Sequence, residues 1–183
     1  VRILILMLIS LTVQARTLVV GDSLTVAMFS MGAFTSEYVS LASGGATSEF
    51  AANNLEGAIR FLNGPDFFGP QINKVVVILG MNDYLIGTSI SDFAYNYRLL
   101  LSYIPDTANL YCIGLTPSTE EKFPPMIFYA LWQERICEES GGTYLSPYYL
   151  GLENYLTDHV HLNPEGYRIL ARFIMYETDY KWN

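Results

Sequence analysis

Ser23 stands in the stretch Gly21-Asp22-Ser23-Leu24, directly after the apolar run Thr17–Val20. A serine hydroxyl is a poor nucleophile until a base takes its proton. The chain has two histidines, His159 and His161, both in Asp158-His159-Val160-His161. Imidazole ordinarily titrates near neutrality and suits the role of base. Asp158 precedes His161 by three residues, so a compact turn would let its carboxylate accept the ring's other N–H and hold the tautomer. Acyl transfer also builds an oxyanion that needs preorganised donors. Candidates are the backbone N–H of Ser23, a glycine N–H in Ser43-Gly44-Gly45-Ala46-Thr47, and the side-chain amide of Asn82 in Gly80-Met81-Asn82-Asp83.

Each of these residues also has an ordinary use. Ser23 suits a helix cap or turn, Asp22 a structural hydrogen bond, and Asn82 and Asp83 a turn after a strand. Gly44 and Gly45 suit any strand-to-helix loop. Asp158, His159 and His161 have metal-ligand chemistry, but no third strong ligand accompanies the two histidines. The ordinary readings are credible singly and poor jointly.

The elements that would position these residues alternate along the chain. Thr17–Val20 reads as a strand, 24–34 as a loose helix, and Tyr38–Leu41 as a second strand. Residues 47–62 carry apolar side chains at helical spacing, and Gly64-Pro65 stops them. Lys74–Leu79 (KVVVIL) suits a central parallel strand buried on both faces. Phe93, Tyr97, Leu100 and Ile104 mark a helix stripe, and Asn109–Leu115 a fourth strand. A helix opens at Pro125 and runs to Glu139; Gly141-Gly142 breaks it before a strand at 143–146. Asn163-Pro164 reads as an N-cap and a first-turn proline opening the last helix. This alternation is that of an α/β sandwich with a parallel sheet, in which ligands gather at the carboxyl ends of the strands. Three of the polar segments fall at such ends and the fourth, at 158–161, just before the last helix; with this topology all four are expected to converge on one rim.

Taken together, GDSL at 21–24, SGGAT at 43–47, GMND at 80–83 and DHVH at 158–161 resemble the SGNH (GDSL) hydrolase family, over essentially all of residues 16–183. The resemblance implies a three-layer α/β/α sandwich, flavodoxin-like, with a five-stranded parallel sheet, and hydrolysis of esters or thioesters through an acyl-enzyme. It makes Ser23 the nucleophile, His161 the base, Asp158 the acid of the triad, and Ser23, Gly45 and Asn82 the oxyanion hole. Gly44 is the alternative to Gly45, which better fits the family's Gly-x-Thr pattern. Met81 departs from a second glycine found in many members and is expected to narrow the pocket. No metal or organic cofactor is required. The chain lacks the Gly-x-Ser-x-Gly elbow of the α/β-hydrolases, since Thr25 follows Ser23 by two.

The remaining features bound the partners. The 183 residues suffice for one core; 51% are hydrophobic and 15% charged, and the net charge is −8. So acidic a chain is a poor generic nucleic-acid binder. Residues 1–15, with Arg2 ahead of the apolar run Ile3–Val13 and Val13-Gln14-Ala15 as a cleavage site, read as a signal peptide cut after Ala15. That run is too short for a stable membrane span, so 16–183 is expected as one secreted or periplasmic domain. Cys112 and Cys137 could pair there or remain buried thiols. Tyr144, Tyr148, Tyr149 and Tyr155 could stack on a sugar or line an acyl groove, but rim packing is the plainer reading. Phe123–Trp132 reads as a core helix rather than a lid. The expected substrate is a small-molecule, glycan or lipid ester: a carbohydrate O-acetyl group, a lysophospholipid or a thioester. The same site could instead pass the acyl group to a glycan hydroxyl, or the fold could serve as a non-catalytic glycan or lipid binder. The oligomeric state is left open.

Overall fold

In the computed structural model the described residues are 16–62 and 72–179. The leader at 1–15 and the Gly64-Pro65 helix stop lie outside them. The strands are β1 (Arg16–Gly21), β2 (Tyr38–Ala42), β3 (Ile72–Ile78), β4 (Asn109–Ile113) and β5 (Thr143–Leu145). The helices are α1 (Ser23–Ser30), α2 (Ser48–Leu62), α3 (Met81–Ile86), α4 (Ile90–Leu101), α5 (Met126–Glu139) and α6 (Pro164–Asp179). All strand pairs are parallel, in the order β2-β1-β3-β4-β5. This is the flavodoxin-like order, whose direction of winding reverses between β1 and β3.

Both faces of the sheet are covered, which explains why the strands read as unbroken apolar runs. Alternation along each strand sorts side chains to opposite faces. Leu18, Val20, Val75, Val77, Leu110 and Cys112 pack with Ile59 of α2, Phe93 and Tyr97 of α4, and Tyr129 and Ile136 of α5. Val19, Val76, Ile78, Tyr111 and Ile113 pack with Leu24 and Met28 of α1 and Leu170 and Ile174 of α6. Asn163 caps α6, its Oδ1 accepting the Glu165 and Gly166 N–H groups at 3.0 Å each.

Several boundaries differ from the sequence reading. The first helix ends at Ser30 rather than 34, with Gly32 in a left-handed turn beyond it. Asn82 and Asp83 sit in α3, a six-residue helix too short to leave a periodic signature. Pro125 is the N-cap of α5 rather than its first helical residue. Phe123–Trp132 is only partly core: Tyr129 is fully buried, but Phe123, Ile127, Phe128 and Leu131 are exposed. Cys112 and Cys137 are joined in a disulfide that ties β4 to α5. Gln133 adds a second tie, its Nε2 donating to the Leu79 and Ile113 carbonyls at 3.0 and 2.9 Å, just past β3 and at the end of β4.

Gly21, the last residue of β1, has no room for a side chain. A Cβ there would stand 1.9 Å from Thr25 Oγ1, 2.7 Å from Thr25 Cβ and 3.1 Å from the Ile78 carbonyl oxygen. Thr25 is itself fully buried, so it cannot swing aside. Gly21→Ala is expected to destabilise the fold by about 1–3 kcal/mol, the usual cost of overpacking. A chemical-denaturation midpoint unchanged from wild type would contradict this close approach.

Candidate active site

The three loops that leave β1, β2 and β3 do so at one height, because Gly21 pairs with Ala42 on one side and Ile78 on the other. Asp22 caps α1: its Oδ1 accepts the Leu24 N–H at 2.9 Å. Ser23 is thereby the first residue of the helix, and its own N–H is among those that helix geometry leaves without an intrahelical partner. An anion beside Ser23 would meet the positive end of α1.

His161 arrives from the opposite end of the chain. The loop ahead of α6 is a tight hairpin in which Leu156 bridges Leu162 and Thr157 N–H donates to the His161 carbonyl at 2.8 Å. Gly166 lets it sit close, since a Cβ there would stand 2.6 Å from Tyr155 Cβ. Within the hairpin Asp158 Oδ1 accepts the Val160 and His161 backbone N–H groups at 2.8 and 2.7 Å. Its other oxygen, Oδ2, accepts His161 Nδ1–H at 2.8 Å. The three-residue spacing therefore has a mechanical meaning: one carboxylate closes the turn and grips the ring. The two backbone N–H groups, followed by the ring N–H, pull the Asp158 carboxyl down to a pKa of about 2. With Nδ1 donating to Asp158, Nε2 is an acceptor, and Ser23 Oγ lies 3.1 Å from it.

His159 goes elsewhere. Its Nδ1 is 2.9 Å from Thr119 Oγ1, and its carbonyl accepts the Thr119 N–H at 3.0 Å. It thus braces the loop between β4 and α5 against the hairpin. Among the described residues no cluster of three His, Cys, Asp or Glu side chains could hold a metal ion.

Asn82 and Asp83 register the β2–α2 loop against the β3–α3 loop. Asn82 Nδ2 donates to the Ala46 carbonyl at 3.0 Å and makes a long contact of 3.4 Å with Asp22 Oδ2. Asp83, fully buried, accepts the Ser48 N–H at 2.8 Å and the Ser48 hydroxyl at 2.6 Å, fixing the start of α2. Gly44 and Gly45 form a turn closed by Ala46 N–H on the Ser43 carbonyl at 3.1 Å. Gly45 has φ +75°, a conformation that favours glycine. Met81 is buried in the core and lines a small internal gap with Asp22 and Leu115.

The sequence reading makes Asp22 structural and Asp83 a turn residue, and does not single out Ser48 or the Ala46 carbonyl; Asp83 is instead a buried clamp on Ser48. Asp22 is more than a cap, since its second oxygen faces the Asn82 amide. The available signal was an acidic residue inside each of two apolar strand-end motifs, where burial calls for a dedicated donor. Tyr148 and Tyr149 are exposed, Tyr149 packing edge-on against Phe173.

The model of the GDSL-like Lipase/Acylhydrolase family matches residues 19–169, and the chain belongs to that family. It is an SGNH-type ester hydrolase by class. Comparison with curated protein sequences gives no match. The fold is similar to a member of the lipolytic protein G-D-S-L family from Veillonella parvula (15% identity, TM-score 0.70, 91% of this chain and 99% of that one). It is similar to the psychrotrophic esterase EstA from Pseudoalteromonas sp. (16%, TM-score 0.65, 91% and 98%). A third likeness is to the C-terminal catalytic domain of peptidoglycan O-acetyltransferase A from Streptococcus pneumoniae (17%, TM-score 0.65, 87% and 90%). No described helix is long and apolar enough to cross a membrane.

Burial raises the Asp22 carboxyl to a pKa of about 7, against the pull of the Leu24 N–H. Between pH 4 and 7 the folded state therefore keeps a proton that the unfolded chain has released. Stability from this group is complete below pH 4 and lost as pH rises through 7. Asp22→Asn retains an acceptor for Leu24 but does not titrate. Wild type should lose melting temperature relative to Asp22→Asn from pH 4 to 7, and the gap should level above pH 8. Parallel melting curves across that range would contradict the assignment.

Proposed function

We propose that the chain hydrolyses carboxylic esters through an acyl-enzyme on Ser23. The observation that carries this reading is the continuous relay from Ser23 Oγ to His161 Nε2 and from His161 Nδ1 to Asp158, at 3.1 and 2.8 Å. His161 takes the Ser23 proton as Oγ bonds to the carbonyl carbon. Asp158, ionised down to about pH 2, stabilises the imidazolium. The carbonyl oxygen, now an anion, rests on the Ser23 N–H, the Gly45 N–H and the Asn82 amide. In the resting site that amide is shared between Ala46 and the longer Asp22 contact. The oxyanion takes the place of Asp22, whose 3.4 Å contact is the weaker one to give up. Collapse of the intermediate breaks the ester C–O bond, and His161 gives its proton to the leaving alcohol. Water then attacks the acyl carbon as His161 takes its proton; collapse breaks the Ser23 Oγ–C bond, His161 returns the proton to Oγ, and the free acid leaves.

We infer further that the protein works in a secreted or periplasmic setting. The Cys112–Cys137 disulfide supports that reading, because such bonds persist in oxidising compartments. The leader reading of residues 1–15 agrees with it.

Ser23→Ala should lower turnover of a short-chain aryl ester by at least ~1000-fold with an unchanged circular dichroism spectrum. Asn82→Ala should lower kcat by about 100- to 1000-fold with little change in KM, the mark of a donor used in the transition state. Activity of Ser23→Ala within about tenfold of wild type would sink the mechanism.

A further inference from the structure

We propose that Asp22 is a positioning residue of the oxyanion hole: its carboxyl, by being neutral or ionised, sets how freely the second N–H of the Asn82 amide can meet the oxyanion. The inference rests on Ser23 being the nucleophile and adds a control on that same site. Asn82 Nδ2 carries two hydrogens. One is spent on the Ala46 carbonyl at 3.0 Å, which fixes the way the amide points. The other has Asp22 Oδ2 at 3.4 Å in the resting site and the oxyanion during turnover. Asp22 cannot turn away from it. The residue is 1% exposed, and its Oδ1 is engaged by the Leu24 N–H at 2.9 Å as the cap of α1. One hydrogen therefore has two claimants, and the fold holds the first of them in place.

Charge decides how strongly that claim is pressed. A neutral carboxyl oxygen at 3.4 Å is a weak acceptor and is easily left. A carboxylate makes a charge-assisted hydrogen bond about twice as strong, which the oxyanion must displace. Burial favours the neutral form, so Asp22 ionises at a pH of about 7. The titratable groups that face it are His161, beyond Ser23, Asp83, beside Asn82 in α3, and Tyr167 of α6. Asp83 pushes Asp22 further up, an imidazolium at His161 pulls it down, and burial pushes the Tyr167 phenol up, so that group stays neutral. The small gap that Asp22 lines is otherwise walled by uncharged residues, Leu24, Met81, Leu115 and Thr116 among them. In the transition state the ionised carboxylate would attract the imidazolium and repel the oxyanion. Those direct effects oppose each other, which leaves the shared amide to decide the sign.

The test is kcat for p-nitrophenyl acetate from about pH 6 to 9 at constant ionic strength, with uncatalysed hydrolysis subtracted and folding checked by circular dichroism. Acylation and deacylation both place an oxyanion in this hole, so whichever step limits kcat reports on it. A triad alone gives a rise to a plateau as its base is freed. Wild type should rise and then fall by about tenfold or more as pH passes about 7. Asp22→Asn and Asp22→Ser both keep a capping acceptor, and neither titrates. Each should rise to a plateau without the fall, and the second serves where the first does not fold. Asn82→Ala should shrink the fall to less than about twofold, which a residue that only capped α1 would not do. A wild-type kcat that stays level or climbs through this range overturns the proposal, as does an equal fall in the Asp22 variants or in Asn82→Ala. In each of those cases an inactive Ser23→Ala leaves the Ser23 reading intact. No turnover of any ester, with no covalent labelling of Ser23, removes both.

Discussion

Everything at the site depends on β1 having a parallel neighbour on each side and ending level with both. Gly21 sits between Ala42 and Ile78, so the chain must leave three adjacent strands at the same height. The winding of the sheet then sends the β1 exit to α1 on one face and the β2 and β3 exits to α2 and α3 on the other. What remains between them is a crevice floored by strand ends. Ser23 enters it at a helix N-terminus, Gly45 in a turn and Asn82 in the first turn of a short helix. No local preference of any one segment makes this meeting; the order of the strands does.

Three aspartates serve the crevice in three ways, and their surroundings decide which. Asp158 is half exposed and satisfied by two turn N–H groups, so it stays a strong, ionised acceptor for His161. Asp22 is buried and held by one good hydrogen bond, so desolvation dominates and its pKa rises. Asp83 is also pushed up by burial but is opposed by both donors of Ser48. The first orients the imidazole. The second caps α1 and faces Asn82. The third locks the loop carrying Gly45 to the helix carrying Asn82. A like residue type thus gives a charge, a cap and a clamp.

Much of the fold was legible in the sequence because burial on both faces leaves a plain mark. KVVVIL reads as a central strand, and β3 is central, flanked by β1 and β4. Asn163-Pro164 reads as a helix start and is one. The residues Ser23, Asn82, Asp158 and His161 could be named from spaced motifs, and the structure brings them to one rim. What was illegible lacked a periodic or local signal. α3 spans fewer than two turns. Whether Cys112 and Cys137 bond depends on where α5 lies over β4, which spacing alone does not state. The outer face of α5 was read as core because apolar periodicity reports that a face is apolar, not what covers it. Asp83 looked like a turn residue because its partner, Ser48, is 35 positions away.

The central claim is that His161, oriented by Asp158, activates Ser23 as a nucleophile. The most direct measurement is intact and peptide-level mass spectrometry after treatment with a fluorophosphonate. Wild type should gain one phosphonyl group on the peptide containing Ser23, and His161→Ala should react slower by about three orders of magnitude. Labelling at another residue, or equal rates in wild type and His161→Ala, would contradict the account.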